Sequence, residues 1–214
     1  MKKTIVALLL CLFFASQLSA QDYKIGVKIG PTLSYARTST ESDDTEVERN
    51  STDVKFLVGA FIDYEFKENY FFHTGLSFAS KNTDITADSG ALGGPVTESY
   101  DHEYLQIPAL LKLYTNEVLL DTKVFFNFGV MPEVRLKTKE GDNITVKLVE
   151  KFRPVDLSGT LGGGVEKRIG TTTSISVGLN YNIGFFNMVK DRNDALDEFS
   201  VKSNLLALEF AIKF

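Results

Sequence analysis

The sequence predicts an all-β chain, an eight-stranded antiparallel up-and-down transmembrane β-barrel. Three observations predict it: eight runs of alternating residues, connections that alternate between short and long, and a second strand face built of glycines and charges. Alternation with period two marks a strand whose two faces meet different surroundings. The length of 214 residues suits one domain, and the 43% hydrophobic content is ordinary; the placement of those residues is what carries information.

The first apolar block is accounted for separately. Lys2 and Lys3 precede an apolar run from Ile5 to Ala15, then a more polar stretch from Ser16 to Ser19, with Ala20 before Gln21. This reads as a secretory signal peptide over residues 1–20, leaving 21–214 as the barrel domain. The run is far short of the roughly 20 residues a spanning helix requires. The single cysteine, Cys11, follows Leu8, Leu9 and Leu10 inside the run, where a lipoprotein signal would not place it, so it is expected to leave with the leader. The remainder carries 21 basic and 28 acidic side chains, a net charge of −7, and no thiol. Disulfide and thiolate chemistry are thereby excluded, and an acidic chain without a basic patch argues against nucleic acid as a partner.

The strands follow in order. Tyr23, Ile25, Val27, Ile29, Pro31, Leu33 and Tyr35 oppose Lys24, Gly26, Lys28, Gly30, Thr32, Ser34 and Ala36. The second run sets Val54, Phe56, Val58, Ala60, Ile62, Tyr64 and Phe66 against Lys55, Leu57, Gly59, Phe61, Asp63 and Glu65, and 67–69 make the turn. A third, with weaker contrast, spans Tyr70 to Lys81. The fourth runs from Leu105 to Tyr114, the fifth from Val124 to Arg135, the sixth from Leu157 to Glu166, the seventh from Thr173 to Gly184, and the last from Leu206 to Phe214. Long connections fall near 37–53, 82–102, 137–154 and 186–203, and short ones at 67–69, 115–121 and 168–171. Short turns at one rim and long loops at the other are the pattern of a membrane barrel, and both mature termini fall on the short-turn side.

Sidedness separates this barrel from a soluble one, which keeps large apolar groups inside. Here the polar face is also the face of small residues, which suits a cramped lumen. In the opposite register Lys28, Asp63, Lys112, Glu133, Glu166 and Glu209 would face hydrocarbon. At roughly 2 kcal/mol each, that penalty would rival a whole folding free energy. Aromatics gather toward both strand ends, with Tyr23, Tyr64, Phe66, Tyr70, Phe72 and Phe214 near the short turns and Tyr35, Phe56, Phe78 and Phe185 near the long loops. They are arranged like two interfacial girdles. Pro108 falls mid-strand without a ladder donor, so a bulge is expected there.

The closing run from Leu206 to Phe214, with Phe210, Ile212 and Phe214 on one face, resembles the signal read by the outer-membrane barrel-assembly machinery. Tyr104-Leu105-Gln106-Ile107-Pro108-Ala109-Leu110-Leu111-Lys112 and Leu161-Gly162-Gly163-Gly164-Val165-Glu166 are similar to recurrent segments of the PorT-like outer-membrane β-barrel family of Bacteroidetes-type bacteria. The resemblance covers essentially the whole mature chain. It implies an outer-membrane location and fold, and the family's namesake is linked to a secretion system. Gln106 departs from the acidic residue associated with that position, and no catalytic residue is carried over.

Lys28, Lys112 and Arg135 inside, with Asp63, Glu133, Glu166 and Glu209, have the composition of an ion-pair network filling the lumen, and inward-facing His73 is placed to pair with Asp63. Eight strands leave room for little more than side chains. Each buried charge needs a partner, so the barrel is expected to be plugged rather than an open pore. His102, set at the end of a long loop, has only Ser99 or Ser89 nearby as a loose hydrolase pairing, and neither histidine has metal-ligand spacing. The acidic first loop, Glu41 to Asp53, fits no calcium pattern. The run Gly162 to Gly164 lacks the following Lys-Ser/Thr of a phosphate loop.

The resulting expectation is an integral protein of the cell outer membrane, long loops extracellular and both mature termini periplasmic, with a structural, binding or adhesion role and no enzymatic activity or cofactor. Its expected partners are outer-membrane lipid and lipopolysaccharide, the assembly machinery during insertion, and an extracellular or secretion-complex protein. The alternatives are an accessory of a protein-secretion complex and a lipid-modifying enzyme or narrow channel.

Overall fold

Runs rich in Val, Ile, Phe and Tyr that alternate with Gly, Ser and Asn favour extended backbone and cross-strand pairing over helix. The computed structural model describes residues 23–40, 45–49, 53–89, 94, 96–141, 149–192 and 199–214. Among the described residues twelve strands form: β1 (Tyr23–Thr40), β2 (Thr45–Arg49), β3 (Asp53–Lys67), β4 (Tyr70–Ser89), β5 (Val96–Gln106), β6 (Ala109–Leu119), β7 (Thr122–Glu140), β8 (Val149–Phe152), β9 (Val155–Arg168), β10 (Ser174–Gly184), β11 (Val189–Arg192) and β12 (Phe199–Lys213). The leader and the acidic side chains of 41–49 lie outside the described residues or side chains.

An eight-membered antiparallel ring results: β1 pairs β3, β3 pairs β4, β4 pairs both β5 and β6, those two pair β7, and β9, β10 and β12 lead back to β1. Closure between β1 and β12 leaves the ring without an edge, which lipid demands because it cannot satisfy free backbone groups. The fold is therefore the predicted eight-stranded barrel. Alternation sets the wall: Ile25, Val27, Ile29, Val54, Phe56, Leu76, Phe126, Leu161, Leu179 and Phe210 are exposed, while Lys28, Asp63, His73, Lys112 and Glu133 are buried. Tight turns close the short-turn rim, where Asn69 (φ 65°) and Asp121 (φ 56°) take the left-handed conformation that Asn and Asp tolerate.

Two expectations are corrected. Pro108 sits between β5 and β6, yet the register carries through it: Ser77 opposes Gln106 and Thr74 opposes Ala109 on one side, and Gln106 opposes Glu133 and Ala109 opposes Val130 on the other. The missing donor opens the ladder without inserting a residue, and Ile107 N still donates to Pro132 O at 2.9 Å. The bulge lies higher, where Glu103 opposes Lys137 and Tyr104 opposes Arg135, leaving Leu136 as the extra residue. Secondly, the stretches expected as long loops are largely strand. β4 reaches Ser89, β5 begins at Val96, β7 runs to Glu140 and β12 starts at Phe199. A membrane strand needs about 9–11 residues, so these ladders continue past the apolar belt. Beyond it, the outward face turns polar while the inward face mixes polar with apolar residues, and the sequence loses its two-sided contrast.

Candidate functional site

The chemistry of this chain is concentrated along the barrel axis. Near the short-turn rim, Asp63 on β3 receives three inward side chains: His73 Nδ1 at 2.5 Å, Lys112 Nζ at 3.2 Å and Lys213 Nζ at 3.5 Å. Lys213 also donates to Glu166 Oε2 at 2.8 Å and to the Tyr114 hydroxyl at 3.0 Å, and Tyr114 donates in turn to Glu166. Ser174 Oγ completes the Glu166 shell at 2.8 Å. Phe125 lies beneath Lys112, 4.4 Å from ammonium to ring centroid. Below this network a vestibule of about 440 Å³ opens at the rim, lined by Phe71, Lys123, Arg168 and Phe214 among others. Midway, Lys28 meets Glu209 at 3.1 Å.

Above a small apolar layer of Leu57, Ala79 and Ala207 stands a second polar tier. Lys81 Nζ lies 2.5 Å from Glu133 Oε2, while Gln106 Nε2 donates to Glu133 Oε1 at 3.0 Å and Ser158 Oγ at 3.5 Å. Arg135 packs its guanidinium over Phe152, 5.1 Å from the ring centroid. The structure thus brings Asp63, His73, Lys112 and Glu166 into one cluster with Lys213, and holds Lys28 with Glu209 and Glu133 with Lys81 as two further pairs. Arg135 lies on the ring of Phe152 in the upper tier, beside Tyr104 and Asp156. Lys81, Lys213 and Tyr114 are members that sequence reasoning missed. Lys81 and Lys213 sit at the ends of predicted strands, where continued alternation was the available signal. Phe210, Ile212 and Phe214 line the lipid-facing side at the end of β12, and Phe214 N donates to Ile25 O at 2.8 Å.

His102 is not a loop residue but a fully buried lumen residue of β5. Its Nδ1 meets Thr138 Oγ1 at 3.0 Å, while the Ser99 hydroxyl points to Asn82 Oδ1; among the described side chains no serine engages the imidazole, and that of Ser89 lies outside them. The wall at this height presents Asp101, Glu103, Lys137 and Lys139, which places it beyond the hydrocarbon. Burial first, then the neighbouring Arg135 and Lys81 cations, push the His102 pKa down to about 3. Burial and the Glu98 carboxylate raise that of Tyr100.

Over this tier sits an apolar cap. β8 and β11 pair only with each other, across the mouth, and bury Val149 and Val189 against Ala36, Ile85, Tyr100, Phe199 and Val201 of four ring strands. Asn187 fastens the cap: its Oδ1 accepts from Val189 N at 3.0 Å and Val201 N at 2.9 Å. Among the described residues no group of His, Cys, Asp and Glu is arranged to hold a metal ion.

Comparison with known proteins agrees with this architecture. The family model described as outer membrane protein beta-barrel domain matches residues 15–190. The crystal structure of the outer membrane protein OprG from Pseudomonas aeruginosa is 12% identical, covers 91% of this chain and 97% of its own, and superposes with a TM-score of 0.57. That of Neisserial surface protein A (NspA) is 8% identical, covers 89% and 95%, and gives 0.50. At such identities the likeness is one of fold alone. No curated protein sequence matches the chain.

Proposed function

Because the chain belongs to the outer membrane protein beta-barrel domain family, we propose that it is a closed outer-membrane barrel that works through its long-loop end as a binding or adhesion surface. The observation that carries this reading is the double closure of the lumen, by the Lys81–Glu133 tier and by the cap of Val149 and Val189 above it. With its lumen crossed by these two layers the barrel is read as closed, and its interior network as serving rigidity rather than transport or catalysis. The strands extended past the belt then act as a stiff platform for the long-loop end. The finer PorT-like assignment rests on the segments at 104–112 and 161–166.

In this reading the long-loop rim faces the cell exterior, the termini face the periplasm, and the Phe210, Ile212 and Phe214 face is what the assembly machinery reads during insertion. Planar-bilayer recordings test the closure: wild-type protein gives no steady conductance, and a stable open level would overturn the reading. Orientation is tested with single cysteines in the otherwise thiol-free mature chain. Lys151→Cys is labelled by an impermeant maleimide on intact cells and Gly170→Cys only after lysis; the reverse pattern would invert the topology.

A second reading, an accessory component of a protein-secretion complex, is favoured by one feature. The β6–β7 turn exposes Val118, Leu119 and Leu120, the last at 86%, on the short-turn side. Loss of a co-purifying partner in the L119S/L120S variant would support it.

A further inference from the structure

Residues directly opposite on neighbouring strands stand about 5 Å apart, close enough that like charges there destabilise the pair. On the β5–β7 seam beyond the belt the outward charges are complementary: Asp101 opposes Lys139 and Glu103 opposes Lys137, with Lys139 Nζ 3.3 Å from Glu103. The β1–β12 seam at the same rim is the opposite case. Arg37 stands directly across from Lys202. Ala36, Val201 and Ser203 beside them point into the lumen and are buried, so both cations face outward. Among the residues with described side chains, this is the one outward-facing pair of like charge, and neither member has an ion-pair partner there.

What lies beneath them gives the missing counter-charge a chemical form. Two residues down β1, the Tyr35 hydroxyl meets that of Tyr181, with the rings stacked 6.4 Å apart. Below the tyrosines the wall is exposed Leu33, Leu179 and Leu208. Two cations with no ion-pair partner among the described residues, a phenol pair at the interface and then an apolar surface match, in order, an anionic headgroup, its ester region and its acyl chains. A peptide carboxylate would satisfy the charge but not the wall under it, which belongs to the bilayer.

We infer that the β1–β12 seam at Arg37 and Lys202 is a binding site for a phosphate-bearing lipid of the leaflet at the long-loop rim. The guanidinium grips the phosphate through paired donors and the ammonium adds a second charge, while the chains lie along Leu33, Leu179 and Leu208. This rests on the reading that the apolar belt stands in lipid.

The test uses the mature protein in phosphatidylcholine nanodiscs doped with lipid A, and native mass spectrometry counts the lipid retained after detergent exchange. Wild type retains lipid A; the R37Q/K202Q variant binds it about 30-fold more weakly, as expected for losing two cations at a charged lipid surface. The K137Q/K139Q variant, which loses the same charge on the other seam, behaves as wild type, and inorganic phosphate displaces nothing. Equal losses in both variants would reduce the effect to general attraction, and displacement by inorganic phosphate would make it a free-anion site; either overturns the inference, as does retention by R37Q/K202Q. A chain that stays in the aqueous fraction would instead overturn the membrane reading, and the lipid site with it.

Discussion

Lys81 and Glu133, reaching over β5 from β4 and β7 on either side of it, form an ion pair in which both side chains are wholly withdrawn from solvent. The carboxylate has its remaining valence taken up by Gln106 and Ser158, and the ammonium lies 4.8 Å from the Tyr104 ring centroid. A pair built this way contributes little net stability against an apolar replacement, but removing one partner strands the other. Lys81→Met is therefore expected to destabilise the barrel by about 3–5 kcal/mol, whereas the K81M/E133L double variant recovers most of that loss. Urea unfolding in lipid vesicles measures both, and additive losses would show that the two residues are not coupled.

The Asp63 hub responds differently because it serves three donors. Asp63→Asn leaves Lys112 and Lys213 facing each other with only Glu166 between them, and His73 facing a neutral amide in place of a carboxylate. Its effect is expected to exceed that of Ser174→Ala, which removes one donor from Glu166, a net loss of about 1 kcal/mol. The ranking of heat-modifiable migration temperatures on gels checks this order.

How far the sequence foretold this arrangement depended on where a residue stood relative to lipid. Inside the belt, one face meets hydrocarbon and the other a crowded axis, so parity alone placed Lys28, Asp63, His73, Lys112 and Glu209 in the lumen. Parity is silent on partners: Lys213 reaches Asp63 across 150 positions, a contact created only when β12 closes on β1. Above the belt the signal failed. Ile85, Glu98, Tyr100 and His102 continue the inward face, but their outward neighbours Asp84, Ser99, Asp101 and Glu103 are also polar or charged, so the stretch reads as loop. The cap was equally hidden, since Val149 and Val189 belong to short segments whose only strand partner is each other.

His102 supplies a pH dependence whose sign is fixed by burial. Its folded pKa is lowered to about 3 from 6.5, so between those values the unfolded chain binds a proton that the barrel refuses. Stability from this group is complete above pH 6.5 and declines as pH falls toward 3, by at most about 1.4 kcal/mol per pH unit. His102→Gln is expected to flatten the profile in that window, read as the wild-type minus variant difference in urea midpoint at pH 7 and pH 4.5. An unchanged difference would mean that the imidazole is reached by water.

The closest approach in the wall concerns Gly30, next to Pro31, where β1 passes β12. A Cβ placed on Gly30 would lie 1.8 Å from the Leu208 carbonyl oxygen, and that atom is backbone held in the ladder, so no side-chain rotation relieves the clash. Gly30→Ala must push β1 away from β12 at the seam that closes the ring, and the expected loss is at the upper end of overpacking effects, about 3 kcal/mol. Gly170→Ala is the matched control, because the nearest atom there is 3.6 Å away in the β9–β10 turn. Refolding into vesicles followed by cold-detergent gel migration distinguishes them: the Gly170 variant reaches the wild-type folded fraction, and the Gly30 variant accumulates unclosed chain. If both fold alike, the β1–β12 seam is looser than its register implies, and the lipid site placed on its outer face would lose its rigid frame.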